Sequence, residues 1–250
     1  MARIRFNPNS NKSQGLKLLK EELRLRGHDV KEIKVRNSLY RPHPSDIIIC
    51  WGVPKSHYPG ELNGNAANAA NKLKAFQMMV HNGLRWSTSV EEAKTWRLTY
   101  CRTLLSASQG KGIVVAQSPA EVVPAPLYTK GIREVEGEYR VHVFNGQVID
   151  FAKKMRMNSD RLTEEGITAN PLIRNLENGY IFGRDGVTID DSIKQVALEA
   201  VEDLQLDFGA VDIVKSAYSG KSFVIEVNTA AGLMGSTVLA YASAIEDYIR

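Results

Sequence analysis

DFGAVDIVKSAYSGKSFVIEVNTAAGL, residues 207–233, is the stretch on which the reading of the fold turns. Val211 to Val214 and Phe223 to Val227 are short β-branched and aromatic runs separated by a Ser/Gly-rich turn, a pattern that predicts an antiparallel hairpin. Side chains alternate along a strand. Glu226 and Asn228 therefore share one face, roughly 6–7 Å apart, and Phe223, Ile225 and Val227 are expected to fill the opposite, buried face. Asp212 can face them from the partner strand. Two carboxylates and an amide oxygen make a hard, all-oxygen donor set, suited to Mg²⁺ carrying a nucleotide's phosphates rather than to zinc. Taken singly, acidic residues at strand ends more often lie in solvent or guard an edge against pairing. The order of the remaining motifs decides between the two readings.

Upstream lies a second hairpin, YRVHVF-NG-QVIDFA, whose Asn145-Gly146 suits a tight type I′ turn. It carries Glu138, Arg140, Lys153 and Lys154. Before it, SASQGKGIVV is a small-residue loop running into a β-branched strand, and its exposed N–H groups can cradle phosphate oxygens. Arg102 stands just ahead of that loop. NPLIRNLENGY adds Arg174 and Asn175 between the two hairpins.

The chain resembles the ATP-grasp superfamily over roughly residues 71 to 239. The motifs that carry the resemblance follow in the family's order: NKLKAF, CRTLLSASQGKGI, LYTKGI, EYRVHVFNGQVIDFAKK, IRN, GAVDIV and VIEVNTAAGL. The likeness is in particular to ribosomal-protein glutamate ligases and compact phage-type ATP-grasp proteins. It implies an α/β (α+β) chain with the ATP-grasp fold. A small N-terminal α/β pre-grasp domain would span 1–70, a central lid subdomain 71–130, and a C-terminal subdomain with the metal site 131–250. Asp212, Glu226 and Asn228 resemble the ligands of Mg²⁺, with Mn²⁺ as the alternative ion. Lys72 and Arg102 resemble the groups that reach the nucleotide phosphates, and Ser108, Gln109, Gly110, Lys111 and Gly112 the loop that closes over them. Leu127 to Ile132, with Thr129, Lys130 and Gly131, resembles the hinge whose backbone reads adenine. Glu138 resembles the acid that holds the ribose hydroxyls. Arg140, Lys154 and Arg174, with Asn175 beside it, resemble the groups around the transferred phosphoryl group and the acyl phosphate.

Three departures stand out. Arg102 replaces a frequent lysine, and its fork can take two phosphate oxygens. Ser106, Ala107 and Ser108 stand where glycine is common, which lowers the loop's backbone freedom. Ala231 replaces a frequent proline, a small change in stiffness.

The implied activity is ATP-dependent joining of a carboxylate and an amine through an acyl phosphate, with peptide or amino-acid substrates. A noncatalytic ATP-binding module and a ligase or binding protein acting on a nucleic-acid-borne group are the alternatives, and an oligomer is compatible with each.

Composition suits a protein that buries a full core: 250 residues, 43% hydrophobic and 24% charged. No apolar run approaches the roughly 18 residues that span a membrane, and the Met-Ala-Arg start has no signal-peptide core, so a cytoplasmic place is expected. Cys50 and Cys101 have no metal-like spacing and read as reduced structural thiols. Charge is uneven, +10 over residues 1–106 and −6 over the rest. The basic half can steer an acidic partner such as a peptide, tRNA or DNA, or it can be a solvated helix and strand face.

The N-terminal region predicts strand, helix, strand, strand: MARIRF, Ser13 to Arg26 with Leu16, Leu19 and Leu23 at helical spacing, HDVKEIKV, and Asp46 to Trp51 as a buried parallel strand. GVPKSHYPGELNGNAANAAN reads as a polar linker forming part of the substrate mouth, and Trp51, Lys55 and His57 either contact substrate there or, more commonly for such residues, pack the loop. Asp190-Asp191 caps a core helix carrying Ile193, Val196, Ala197, Ala200, Val201 and Leu204.

Overall fold

The computed structural model describes residues 1–10, 13–33, 39–54, 58–107 and 110–250. In chain order the elements are β1 (Arg3–Pro8), α1 (Gln14–Leu25), β2 (Asp29–Glu32), β3 (Asp46–Trp51), α2 (Ala67–Ala70), α3 (Lys72–Met78), β4 (Trp86–Ser87), α4 (Val90–Lys94), β5 (Thr99–Arg102), β6 (Ile113–Ala116), β7 (Leu127–Lys130), β8 (Val135–Phe144), β9 (Gln147–Arg156), α5 (Ser159–Glu164), β10 (Tyr180–Gly183), α6 (Asp191–Asp203), β11 (Phe208–Ser216), β12 (Ser222–Asn228) and α7 (Ser236–Ile249). They build three sheets, of order β2-β1-β3, β4-β7-β5-β6 and β10-β9-β8-β11-β12.

The first sheet is parallel, as its isoleucine-rich strand predicts. Ser13 caps α1 by accepting the Leu16 N–H, and the buried stripe is Leu16, Leu19 and Leu23. These residues join Ile4, Phe6 and Trp51 and, from β8, β11 and α7, Phe144, Phe208, Tyr241 and Ile245 in one apolar cluster. α7 is thus packed on the N-terminal unit. A Cβ on Gly15 would stand 2.4 Å from the Leu233 backbone nitrogen, so only glycine lets α1 approach the loop after β12 this closely. Several N-terminal cations are spent internally. Lys20 pairs with Glu32, Arg26 with Glu22 and Glu246, and Arg24 donates to the Val30 carbonyl.

The Asn-rich segment after β3 differs from the expected open mouth at its 61–70 end. Asn63 is fully buried, with its side-chain amide donating to Phe208 O at 2.8 Å and accepting from the N–H groups of Asp207 and Phe208. Asn68 donates to Leu204 O and Asn65 to Gln205 O. The amides staple this segment onto the α6–β11 turn, satisfying backbone groups that would otherwise be buried without partners. Lys55 and His57 lie outside the described residues.

The third sheet carries the large core. α6, capped by Asp190, and α3 cover one face, where Phe76, Val141, Ile193, Ala197, Val211, Ile213 and Val224 meet. The β8–β9 turn holds Asn145 at φ 47° and Gly146 at φ 71°, both in the left-handed region that a type I′ turn requires. The β11–β12 hairpin forms with one irregularity. Asp212 faces Glu226 but Ile213 faces Val224, so Ile225 is an extra, bulged residue. The bulge resets the alternation. Val224 (0% exposed) and Val227 (6%) are core residues, whereas Phe223 and Ile225 are only partly buried, contrary to the simple period-2 expectation.

Candidate active site

The face of the third sheet opposite α6 is polar. Glu138 and Arg140 project from β8, Lys154 from β9, Asp212 from β11 and Glu226 with Asn228 from β12. Strand register brings them together. Arg140 is the cross-strand neighbour of Asp212, and Asp212 of Glu226. Arg140 forks onto Asp212, Nε to Oδ1 at 2.7 Å and Nη2 to Oδ2 at 2.8 Å, leaving Nη1 outside the pair. Burial works against charge on Asp212, which is 5% exposed, but the Arg140 guanidinium outweighs it and holds the carboxyl below its ordinary range. Arg140 is correspondingly pushed up, against its own burial.

On the neighbouring strand, Asn228 Nδ2 donates to Glu226 Oε1 at 3.2 Å, which turns its carbonyl oxygen away from that bond. Lys72 Nζ lies 3.5 Å from Glu226 Oε2 and donates to Ala107 O at 2.5 Å. Its position follows from α3, whose N-cap Asn71 accepts the Lys74 N–H, and from its own N–H, which donates to Leu105 O. Lys72 therefore ties the base of the SASQGKG loop to the carboxylates. Lys154 Nζ stands 3.0 Å from Glu138 Oε2, an ion pair that ties β9 to β8 on this face.

These donors fit a hard cation. Among the described residues no three His, Cys, Asp or Glu side chains converge, so a third oxygen for a cation held by Asp212 and Glu226 would have to come from a group such as the Asn228 amide. Each carboxylate oxygen of Asp212 can accept more than one contact, so pairing with Arg140 does not exhaust it. Glu138, ion-paired with Lys154 through one oxygen, keeps acceptor capacity that fits a hydroxyl-bearing ligand.

The other sequence candidates fall around this constellation. Arg102 is 4% exposed, with Nε 3.3 Å from Thr129 Oγ1 and its guanidinium over the Phe76 ring. Burial pulls its pKa down and Glu226 pushes it back, and a guanidinium stays charged throughout. At 127–132, Lys130 and Gly131 spend their N–H groups on Arg85 O and Leu98 O, both at 2.8 Å, whereas the Ile132 N–H makes no backbone hydrogen bond among the described residues. Arg174 donates to Pro171 O and lies over Tyr180, and Asn175 caps the turn at Asn178. Gly110 and Gly112 have φ of 76° and 72°, while Ser106 and Ala107 stay out of the left-handed region, so glycine stands where the loop needs it. A Cβ on Gly110 would touch Ile173 and Asn175, which places the loop against the Arg174 segment. Lys111 is exposed, and Ser108 and Gln109 lie outside the described residues.

Four residues at the site escaped the sequence reading. Asp150 accepts from Arg184 at 3.0 Å and from Thr237, and Phe182 lies beneath Arg140 and Lys154. Period-2 spacing from Lys154 back to Asp150 was the available signal for the first of them. His142, on the same face, is 1% exposed and hydrogen-bonded to Tyr241; burial and Arg140 push its pKa down to about 4, so it is neutral. Burial raises Cys50 to about 12 and Cys101 likewise above its ordinary value, in keeping with inert thiols. A separate cleft of about 490 Å³, lined by Lys94, Trp96, Arg97 and Arg133, shares no residue with the constellation. Among the described residues no helix is long and apolar enough to cross a membrane.

No family model and no curated protein sequence matches the chain. Solved structures do. The ATP-grasp ligase PsnB, complexed with a phosphomimetic variant of minimal precursor, Mg and ADP, is similar at TM-score 0.68 and 12% identity, covering 100% of this chain and 99% of that one. D-alanine–D-alanine ligase from Bacillus anthracis gives TM-score 0.64 and 11% identity, covering 99% and 93%. The macrocyclase MdnC from Microcystis aeruginosa MRC, bound with precursor peptide MdnA, gives 0.60 and 12%, covering 99% of both chains. At such identities the likeness is one of backbone architecture, and it extends over the whole chain: this protein has the ATP-grasp fold.

Proposed function

We propose that the protein is an ATP-dependent carboxylate-amine ligase acting through an acyl phosphate. The observation that carries this reading is the polar face of the third sheet, where Asp212, Glu226 and Asn228 lie within one side chain's reach of Arg140, Lys72 and Lys154. Asp212, Glu226 and Asn228 would hold Mg²⁺, or Mn²⁺ in its place. Bound there, the ion would supply positive charge that offsets the charge of the nucleotide's phosphates. Lys72 and Arg102 supply positive charge to the phosphates, and the loop through Gly110 and Gly112 supplies backbone donors. Ile132 N–H meets the adenine edge and Glu138 the ribose hydroxyls.

A substrate carboxylate oxygen attacks the γ-phosphorus of ATP, and the bond to the bridging oxygen breaks to release ADP. The attacking amine then adds to the carbonyl carbon of the acyl phosphate, phosphate leaves with the C–O electron pair, and the amine's proton passes to solvent. Arg140 and Lys154 offset charge on the equatorial oxygens and Arg174 holds the acyl phosphate. Such chemistry asks for position and charge more than covalent help. Three solved relatives in fold carry ligase or macrocyclase names, two of them with precursor peptides, which supports a peptide or amino-acid substrate. We assign the three sheets to the segments 1–70, 71–130 and 131–250, and the enzyme to the cytoplasm, where ATP is abundant.

The test is incubation with ATP, Mg²⁺ and a panel of acids, amines and peptides, with products detected by mass. A product lighter than its two substrates by one water, formed with ADP and phosphate, supports the ligase. ATP binding with no product from any panel member favours a noncatalytic module.

A further inference from the structure

Phe182 brings no charge to the polar face, yet it touches both of the cations that stand there. Its ring lies 4.4 Å from Arg140 Cζ and 5.1 Å from Lys154 Nζ. Sheet order explains how one ring reaches two strands. β10 is the edge strand, with β9 beside it and β8 beyond. Phe182 is the cross-strand neighbour of Lys154, and Arg140 lies one strand further on, opposite Ala152. Ala152 is 1% exposed and ends at its methyl, so the ring can extend across β9 above it. Arg140 is thereby held between Asp212 on one side and an aromatic face on the other.

The choice of an aromatic face has a chemical consequence. Two like charges on adjacent strands repel, and a third carboxylate between them would hold them at the cost of neutralising them. A ring face attracts both cations through its quadrupole while taking none of their N–H donors. Arg140 Nη1, and the Lys154 ammonium hydrogens not turned to Glu138 Oε2 at 3.0 Å, stay available to an incoming anion.

We propose that Phe182 is a positioning residue that preforms an oxyanion clamp from Arg140 and Lys154 for the terminal phosphoryl group. The assignment rests on the function proposed above. It predicts a selective defect, because the γ-phosphate, unlike the α and β groups, would sit at these two cations.

Calorimetric titration of the full chain with Mg·ATP and Mg·ADP tests it. Phe182→Leu should weaken Mg·ATP about tenfold while leaving Mg·ADP within about twofold of wild type. Phe182→Trp, which keeps a face, should restore Mg·ATP binding to within about threefold of wild type. Phe182→Met, which keeps most of the side chain's volume without a ring face, should reproduce the Leu defect, and it carries the test if Phe182→Leu does not fold. The Arg140 Nε–Hε resonance should move when the ring is removed or displaced. Wild-type Mg·ATP affinity in Phe182→Leu, equal weakening of ATP and ADP, or a Trp variant as defective as Leu overturns the clamp and leaves the ligase reading standing. A wild-type chain that binds no Mg·ATP overturns that reading itself, and the clamp with it.

Discussion

The first and third sheets each pair an arginine with a buried aspartate carboxylate, and they differ in what is left over. In the first, Arg5, 3% exposed, donates to Ile4 O, Asp29 O and Asp29 Oδ2, and Asp46 accepts from Arg3, Tyr40 and the His43 N–H. That network is closed. In the third, Arg140 and Asp212 satisfy one another, but Arg140 Nη1 makes no hydrogen bond among the described residues and Glu138 has only the Lys154 ammonium beside one of its oxygens. A satisfied buried pair fixes structure, whereas polar groups left unfilled next to such a pair need a ligand to complete them.

Removing either aspartate should separate the two networks. Asp212→Asn takes away the main counter-charge of the partly buried Arg140, leaving only the more distant Glu226, and should cost up to about 3 kcal/mol by urea denaturation while also abolishing Mg²⁺-dependent nucleotide binding. Asp46→Asn should lower stability alone. An Asp46→Asn protein that lost Mg·ATP affinity as severely would break the comparison.

Glu226→Gln removes charge from a partly exposed group without changing volume. ATP consumption in the presence of substrates should fall about 10²-fold or more, and the denaturation midpoint should stay near wild type. Near-normal consumption would remove Glu226 from the metal site.

Acid should reach the first network through Asp46. Burial opposes its charge, but the hydrogen bonds from Tyr40, His43 and Arg3 hold its folded carboxyl at about 2, below the unfolded value of about 3.9. A depressed folded pKa stabilises above the unfolded value. The contribution is therefore present above about pH 4 and lost as pH falls toward 2. Denaturation at stepped pH should show the wild-type chain losing more stability over that window than Asp46→Asn, and parallel curves would contradict the assignment.

The smallest effect should come from the hinge. With Lys130 and Gly131 N–H groups already spent, base choice rests on Ile132, and GTP should bind about tenfold more weakly than ATP. Competition titration checks this, and equal affinities would move adenine recognition elsewhere.

Much of this architecture is legible in the chain because its signals are local. Asn145-Gly146 marks one hairpin, the alternation around Asp212 and Glu226 marks the other, and Asp190 marks the start of α6. The features that escape depend on partners far away. The Ile225 bulge is decided by how β12 registers against β11, and no composition rule sees it. Asn63 looks like linker sequence because the backbone it staples is 145 residues distant. Phe182 reads as ordinary strand apolar content until the sheet order sets it beside Lys154 and across Ala152 from Arg140. The motif order could propose which residues meet; the distances needed the fold.

The central claim is that Glu226, with Asp212 and Asn228, holds the metal that carries the nucleotide. Calorimetric titration of ATP into the wild-type and Glu226→Gln chains, each in excess Mg²⁺ and in chelator, measures it directly. The wild-type protein should bind ATP at least about tenfold more tightly with Mg²⁺ than without, and Glu226→Gln should bind equally in both. A Glu226→Gln protein that kept the full Mg²⁺ enhancement would contradict the account.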